Sequence, residues 1–246
     1  MRRWTAAMAL LASLVAGRAQ AQGPDVALVY RLLQGGQMVV NPNTPTMRTA
    51  RLGDRLRNGD EVVTSENTRA ALRFTDDGSI LRINPRSQVQ LTSGDERGAV
   101  VRTLELEFGE IWLRVTRREG ANLRVQTPAG VAAVKGTEFL VRVDADSVTT
   151  VITLEGVVEF FNSAGRTDVG AGQKVEARSM TDAPEATAAT PEELRRAEDA
   201  GGGEDGAAPA AGTWIEVQLQ DATGRARTLM IQVPAEALRG RIEGRP

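Results

Sequence analysis

Two acidic runs, Asp76-Asp77 and Asp144-Ala145-Asp146, have the spacing that paired acid–base chemistry uses, because neighbouring carboxylates split their pKa values. Both runs sit at expected turns, where Asp hydrogen-bonds its own backbone, so a carboxylate-dependent hydrolase is the weaker reading. Asp144 and Asp146 also suggest calcium, but the ordered oxygen ligands and glycine of an EF-hand loop are missing. Lys135 and Lys174 are the only lysines, and no serine stands at a useful spacing from Lys135 for a Ser–Lys pair. The 246 residues include no histidine and no cysteine. This excludes a Ser-His-Asp triad, a thiol nucleophile, a thiolate- or imidazole-bound zinc, a histidine-held haem and any disulfide. Gly201 to Gly206 has neither the preceding strand nor the following lysine of a phosphate loop. The sequence therefore predicts no catalytic residue, no metal site and no cofactor.

Binding chemistry is better supplied. Trp112 lies, by alternation, on the strand face opposite Ile111 and Leu113. It either packs beneath the C-terminal hairpin, the favoured option, or stands exposed as a contact residue. Arg114, Arg117, Arg118 and Arg124 gather around one expected hairpin, as a solvated face or, with Trp112, as a contact site for an anionic partner. Aromatic residues make up 4% of the chain, which leaves few platforms for stacking sugars.

Strands must position these residues. From about Val26 to Ala177 short alternating runs are separated by Gly, Asp, Asn or Pro, with no helical period. Ala70, Leu72 and Phe74 face one way, and Asp76-Asp77-Gly78-Ser79 reads as a tight hairpin of type I′. Leu104, Leu106 and Phe108 alternate with Glu105 and Glu107. Gly109-Glu110 is expected to reverse the chain so that Ile111, Leu113 and Val115 run back. Further strands fit 122–127, 137–143, 148–154 and 157–161. Val63-Thr64-Ser65 is echoed by Gln126-Thr127-Pro128 at an offset of 63, a sign of two related lobes or a chance match.

Residues 178–212 are rich in Ala, Gly, Pro, Thr and Glu and read as a linker. Within them Thr190-Pro191-Glu192-Glu193 has the order of an N-cap, a first-turn proline and helix-start acids, so one short helix through Glu198 is expected before Gly201. Residues 213–246 hold two more alternating runs, Trp214 to Gln220 and Thr228 to Val233. A lone hairpin is marginal in water, so this pair is expected to dock on the main β body. Ile242-Glu243-Gly244-Arg245 matches a protease site by chance.

Residues 1–21 have the form of a secretory signal: Arg2-Arg3, an apolar stretch from Ala6 to Ala16, then Ala19-Gln20-Ala21. The apolar stretch is well short of the ~20 residues that span a bilayer. Cleavage after Ala21 is expected, giving a periplasmic or secreted product of a Gram-negative bacterium with no integral span. Its 27 cations against 32 anions leave a net charge of −5, which argues against nucleic-acid binding. The core, from residues 41% apolar, must hold without disulfides.

Gly53-Asp54-x-Leu56-x-x-Gly59-Asp60-Glu61-Val62-Val63-Thr64, then Ala70-x-Leu72-x-Phe74-x-x-Asp77-Gly78-Ser79, resembles the opening of a FecR-type domain. The resemblance continues through Thr127-Pro128-x-Gly130, Val134-Lys135-Gly136-Thr137-Glu138-Phe139, Val151-x-x-Leu154-Glu155-Gly156-Val157-Val158 and Gly170-Ala171-Gly172-Gln173. It covers roughly Val39 to Val175, inside a β domain expected over 22–177. Its glycines, with Asp60, Asp77, Thr127, Pro128 and Thr137, stand where tight turns or strand ends are expected, so they are read as structural. The family's best-known members are inner-membrane sensors of iron–siderophore uptake whose periplasmic domain receives a signal from an outer-membrane transporter. Without a cytoplasmic helical region before its apolar segment, this chain is expected to be a stand-alone exported version. The fold expected is all-β, an antiparallel β-sandwich or short β-roll with the linker and C-terminal hairpin. The function expected is a non-enzymatic envelope module that binds a protein or senses a signal. Binding of a cell-wall or exopolysaccharide, or an accessory role in siderophore signalling, is the alternative.

Overall fold

The computed structural model describes residues 25–33, 38–41, 48–96, 99–119, 121–202, 212–220 and 226–234. The export signal, its cleavage after Ala21 and Ile242–Arg245 lie outside the described residues. The first strands are β1 (Asp25–Leu33), β2 (Met38–Asn41), β3 (Arg48–Thr49), β4 (Arg55–Arg57), β5 (Glu61–Thr64), β6 (Arg69–Phe74), β7 (Ile80–Ile83) and β8 (Gln88–Glu96). A long β9 (Ala99–Arg114) follows. Then come β10 (Ala121–Thr127), β11 (Gly130–Val134), β12 (Glu138–Val143), β13 (Thr149–Glu155), β14 (Val157–Asn162), β15 (Gly165–Gly170), β16 (Gln173–Ala177) and β17 (Ala186–Ala188). Helix α1 (Pro191–Gly201) and the hairpin β18 (Gly212–Gln220) and β19 (Ala226–Pro234) complete the order. The fold is all-β, as expected.

The first seventeen strands make two sheets that share β9. Sheet A runs β4-β1-β6-β7-β9-β12-β13-β16-β17. Sheet B runs β3-β2-β5-β8-β9-β10-β11-β14-β15, antiparallel except for the β9–β10 pair. The inner faces of the two sheets enclose one apolar core, which includes Leu72, Phe74, Leu104, Ile111, Phe139 and Phe160. The hairpin β18–β19 is a sheet of its own.

Gly109 does not reverse the chain. The first part of β9 pairs with β8 and β10 in sheet B, and the part after Gly109 pairs with β7 and β12 in sheet A. Before Gly109 the core-facing residues are even-numbered, Leu104 and Leu106; after it they are odd-numbered, Ile111, Leu113 and Val115. A change of parity is what a hairpin and a bulged strand have in common, so the alternation alone misreads the crossing as a turn. The register slips between Gln88 and Val89, opposite this point, and Gly109 adopts φ +105°. Phe108, which alternation would place in the core, is 42% exposed at the crossing.

The two lobes flanking β9 are related. Strands β5, β6 and β8 begin at residues 61, 69 and 88, and β11, β12 and β14 begin at 130, 138 and 157, an offset of 69 each time. In both sets the outer strands pair in sheet B while the hairpin between them lies in sheet A. Even the turn residue matches: Gly78 has φ +74° and Ser147, 69 positions on, has φ +63°. The echo at 63 compares β5 with β10, which is not its counterpart.

Local chemistry explains the other turns. Arg51-Leu52-Gly53-Asp54 and Arg57-Asn58-Gly59-Asp60 repeat one device, in which the Asp carboxylate accepts the backbone N–H of the Arg three residues earlier, at 2.8 and 2.9 Å. The β6–β7 connection is longer than a two-residue I′ turn, with Phe74 N–H bonded to Ser79 O and only Gly78 at positive φ. Residues 186–201 differ from a free linker. β17 adds to β16, and α1 begins at an observed capping box in which Thr190 and Glu193 satisfy each other's backbone N–H. The few apolar residues of this segment suffice because they land on an already built apolar surface rather than having to make one.

A Cβ at position 109 would lie 2.3 Å from Ser87 Oγ and 2.4 Å from Ser87 Cα, at a φ that L residues avoid. Gly109→Val is expected to cost about 3 kcal/mol or more in urea unfolding. Gly94→Ala, where a Cβ meets nothing within 4 Å, should leave the midpoint nearly unchanged.

Candidate functional site

The outer face of sheet A carries the side chains with most binding chemistry. Cross-strand register sets Arg31, Ala71, Arg82, Trp112, Leu140, Ile152, Lys174 and Thr187 in one row across eight strands. Residues directly opposite each other point to the same face, so this row divides into an arginine-rich half and an apolar half. α1 covers the apolar half. Trp112, Leu140 and Ile152 form a buried cluster with Ala197 and Ala200, edged by Leu194, Ile80 and Leu154. Gly201 lies directly on the indole: a Cβ there would be 2.6 Å from Trp112 Cε2. Trp112 is therefore packed, as favoured, but beneath α1 rather than beneath the C-terminal hairpin. At 1% exposure it is no contact residue.

Polar clamps hold the helix at three places. Lys174 Nζ donates to Glu193 Oε1 at 2.5 Å, Arg196 Nη2 to Glu110 Oε2 at 3.2 Å, and Arg82 Nη1 to Gly202 O at 2.9 Å. The ammonium of Lys174, followed by the Thr190 backbone N–H, holds the Glu193 carboxyl down at about 2. Arg82 and Arg114 also lie over the Trp112 ring, at 5.2 and 5.1 Å from its centroid, and Arg73 lies 5.4 Å from that of Tyr30. Each such contact contributes about 0.5–1 kcal/mol where partly exposed.

The other arginines read as one group are separated. Arg114 pairs with Glu138 at 3.0 Å on sheet A, while Arg124 pairs with Glu96 at 3.3 Å on sheet B. Arg118 donates to the carbonyl of Asp76 at 2.7 Å, and the Cβ of exposed Arg117 packs over Gly136. The family-motif residues take turn roles. Gly59, Gly78, Gly136, Gly156 and Gly172 all have positive φ. Thr127 Oγ1 donates to Gly130 O beside exposed Pro128, and Thr137 Oγ1 donates to Val157 O. Asp60 is buried, and desolvation raises its carboxyl above the ordinary range.

Asp77 does more than turn the chain. Its carboxylate accepts the Ser79 backbone N–H and both terminal nitrogens of Arg102, a side chain only 2% exposed between the sheets. The Arg102 guanidinium also lies over Phe74 at 4.5 Å, and Asp76 sits 3.7 Å away. Asp76 Oδ2 is buried with no hydrogen-bond partner. Desolvation, reinforced by Asp77 and opposed by Arg102, raises the Asp76 carboxyl. The acidic pair is thus the counter-ion of a core arginine, closed to substrate. Asp144 caps its own turn by accepting the N–H groups of Asp146 and Val148. Nothing in the sequence around Arg102 marks it as buried, so this ion pair was not legible there. Among the described residues no cluster of His, Cys, Asp or Glu could hold a metal ion, and no helix is long and apolar enough to cross a membrane.

Residues 60–159 match the family model described as FecR protein. Two crystal structures of a "putative anti-sigma factor" from Parabacteroides distasonis ATCC 8503, at 1.65 and 2.50 Å, share 18% identity with this chain. Each aligns with a TM-score of 0.47 over 55% of this chain and 62% of its own. No curated protein matches.

Removing one partner of a buried ion pair strands the other charge, so Asp77→Ala is expected to lower unfolding free energy by about 3–5 kcal/mol. Asp76 has its folded pKa raised, so its charge disfavours the folded state at neutral pH. Asp76→Asn should therefore be neutral or stabilising by the same denaturation measurement. Gly201→Val should lift the end of α1 and speed tryptic cleavage after Arg195 and Arg196 roughly tenfold, as expected for loss of ~1.4 kcal/mol of local stability. The Glu193 contribution is present above about pH 4.5 and is lost as pH falls toward about 2. Glu193→Gln should remove that dependence from the cleavage rate under an acid-tolerant protease.

Proposed function

We propose, from the match of residues 60–159 to the FecR protein family model, that the chain is an exported, non-enzymatic module that binds another protein in the cell envelope. The match spans β5 to β14, which includes the shared strand β9 and the repeated units on both sides of it. The observation that supports a binding role is the consumption of the chemically reactive groups by structure. Asp76 and Asp77 neutralise Arg102, Asp144 caps a turn, and Lys174 clamps α1. What the outer face of sheet A offers is guanidinium groups laid over aromatic rings, a surface suited to recognition rather than turnover.

Fractionation and pull-down test this reading together. The expected outcome is a mature product starting at Gln22 in the periplasm or medium, which retains one discrete protein from periplasmic extract. Enrichment of polysaccharide with no specific protein, or a mature chain starting at Met1, would overturn it.

A further inference from the structure

A cleft of about 330 Å³ lies between the first turn of α1 and sheet A, lined by Leu140, Arg142, Thr150, Ile152, Glu192 and Arg196 among others. Most charges around it are already matched. Glu193 is taken by Lys174, and Glu110, directly opposite Arg142 in the sheet, gives one oxygen to Asn84 and the other to Arg196. Two charges remain over: the half-buried guanidinium of Arg142 on the floor and the carboxylate of Glu192 on the wall. Among the described residues neither makes an ion pair with the other or with any other group, although both line the same space. Thr150, opposite Arg142 in the sheet and only 5% exposed, also lines the cleft, and among the described residues its hydroxyl has no hydrogen-bond partner. Leu140 and Ile152, paired across β12 and β13 two residues along from Arg142 and Thr150, close the inner end of the cleft, where α1 leaves them 2% and 3% exposed.

We propose that this cleft binds a small zwitterion, an α-amino acid or short peptide with free termini. Its carboxylate sits against Arg142 and the Thr150 hydroxyl, and its ammonium reaches Glu192. A cation and an anion placed apart across one cleft select a molecule carrying both opposite charges, because a molecule with either charge alone pairs with only one of them. Since Glu192 belongs to α1 and Arg142 to sheet A, the bound molecule would bridge the two and hold the helix down. This site is independent of the protein partner proposed above, so loss of either leaves the other standing.

Calorimetry on the full mature protein with leucine, dialanine and trialanine as probes tests the site, with isovalerate and isoamylamine carrying one charge each. Binding of a zwitterion, at least ten times tighter than either single-charge analogue, is the expected result. Arg142→Gln and Glu192→Gln should each weaken it at least tenfold, and saturating ligand should slow tryptic cleavage after Arg195 in the parent but not in the variants. The cleavage rate without ligand shows whether α1 is still seated in Glu192→Gln. Arg142→Lys, which keeps charge but not the fork, should bind with intermediate strength. The peptides against leucine decide whether one residue or several fill the cleft. No heat from any zwitterion at 10 mM, equal affinity for the single-charge analogues, or unchanged affinity in both variants would each overturn the assignment.

Discussion

The structure depends on keeping one strand continuous while it changes sheets. β9 is the centre of both sheets, with four strands on each side of it in each. Its path through Gly109 shifts which side chains face inward, and that shift lets a single sixteen-residue segment line the same core from two walls. A residue with a Cβ at the crossing would meet the Ser87 backbone. The two lobes therefore do not meet as separate bodies; each completes its sheets on the same strand.

The buried ion pair ties this centre to the turns of the family pattern. Arg102 projects from the sheet B part of β9, while Asp76 and Asp77 come from the β6–β7 connection in sheet A. A charge held between the sheets is costly alone and specific when matched, so the pair sets how one lobe's hairpin sits against the shared strand. The counterpart turn at Asp144 to Val148 has no core arginine and satisfies its carboxylate locally. The lobes share a path, but among the described residues only the first has its turn held to the shared strand by a buried ion pair; the second meets it through the exposed pair Arg114–Glu138.

What could be read from the sequence follows from the range of the interactions involved. The strands at 122–127, 137–143, 148–154 and 157–161 were legible because alternation is local, and the helix start because Thr190 and Glu193 carry their own capping chemistry. The glycines and Asp60 of the family pattern take turn roles for the same reason. The passage of β9 between sheets was not legible, because a parity change has two local explanations and only distant partners distinguish them. The packing of Trp112 is legible from alternation, but the cover it points to, the C-terminal hairpin, is replaced by α1 in the structure. Ala197, Ala200 and Gly201 look like linker residues until they meet the indole, where small size is what allows contact. The spread of Arg114, Arg117, Arg118 and Arg124 over both sheets and a loop has the same origin: nearness along the chain does not survive a strand that divides its residues between two walls.

The order of the strands has a consequence for how the chain matures. β1 to β8 precede β9, whereas its other neighbours, β10 and β12, are made afterwards. As the polypeptide emerges, the earlier half can close on one flank of β9 while the opposite flank waits as an open edge in both sheets. Such an edge is a template for unwanted pairing between nascent molecules. Glu105 and Glu107 stand exposed along that stretch, and charged side chains on a strand edge disfavour such pairing.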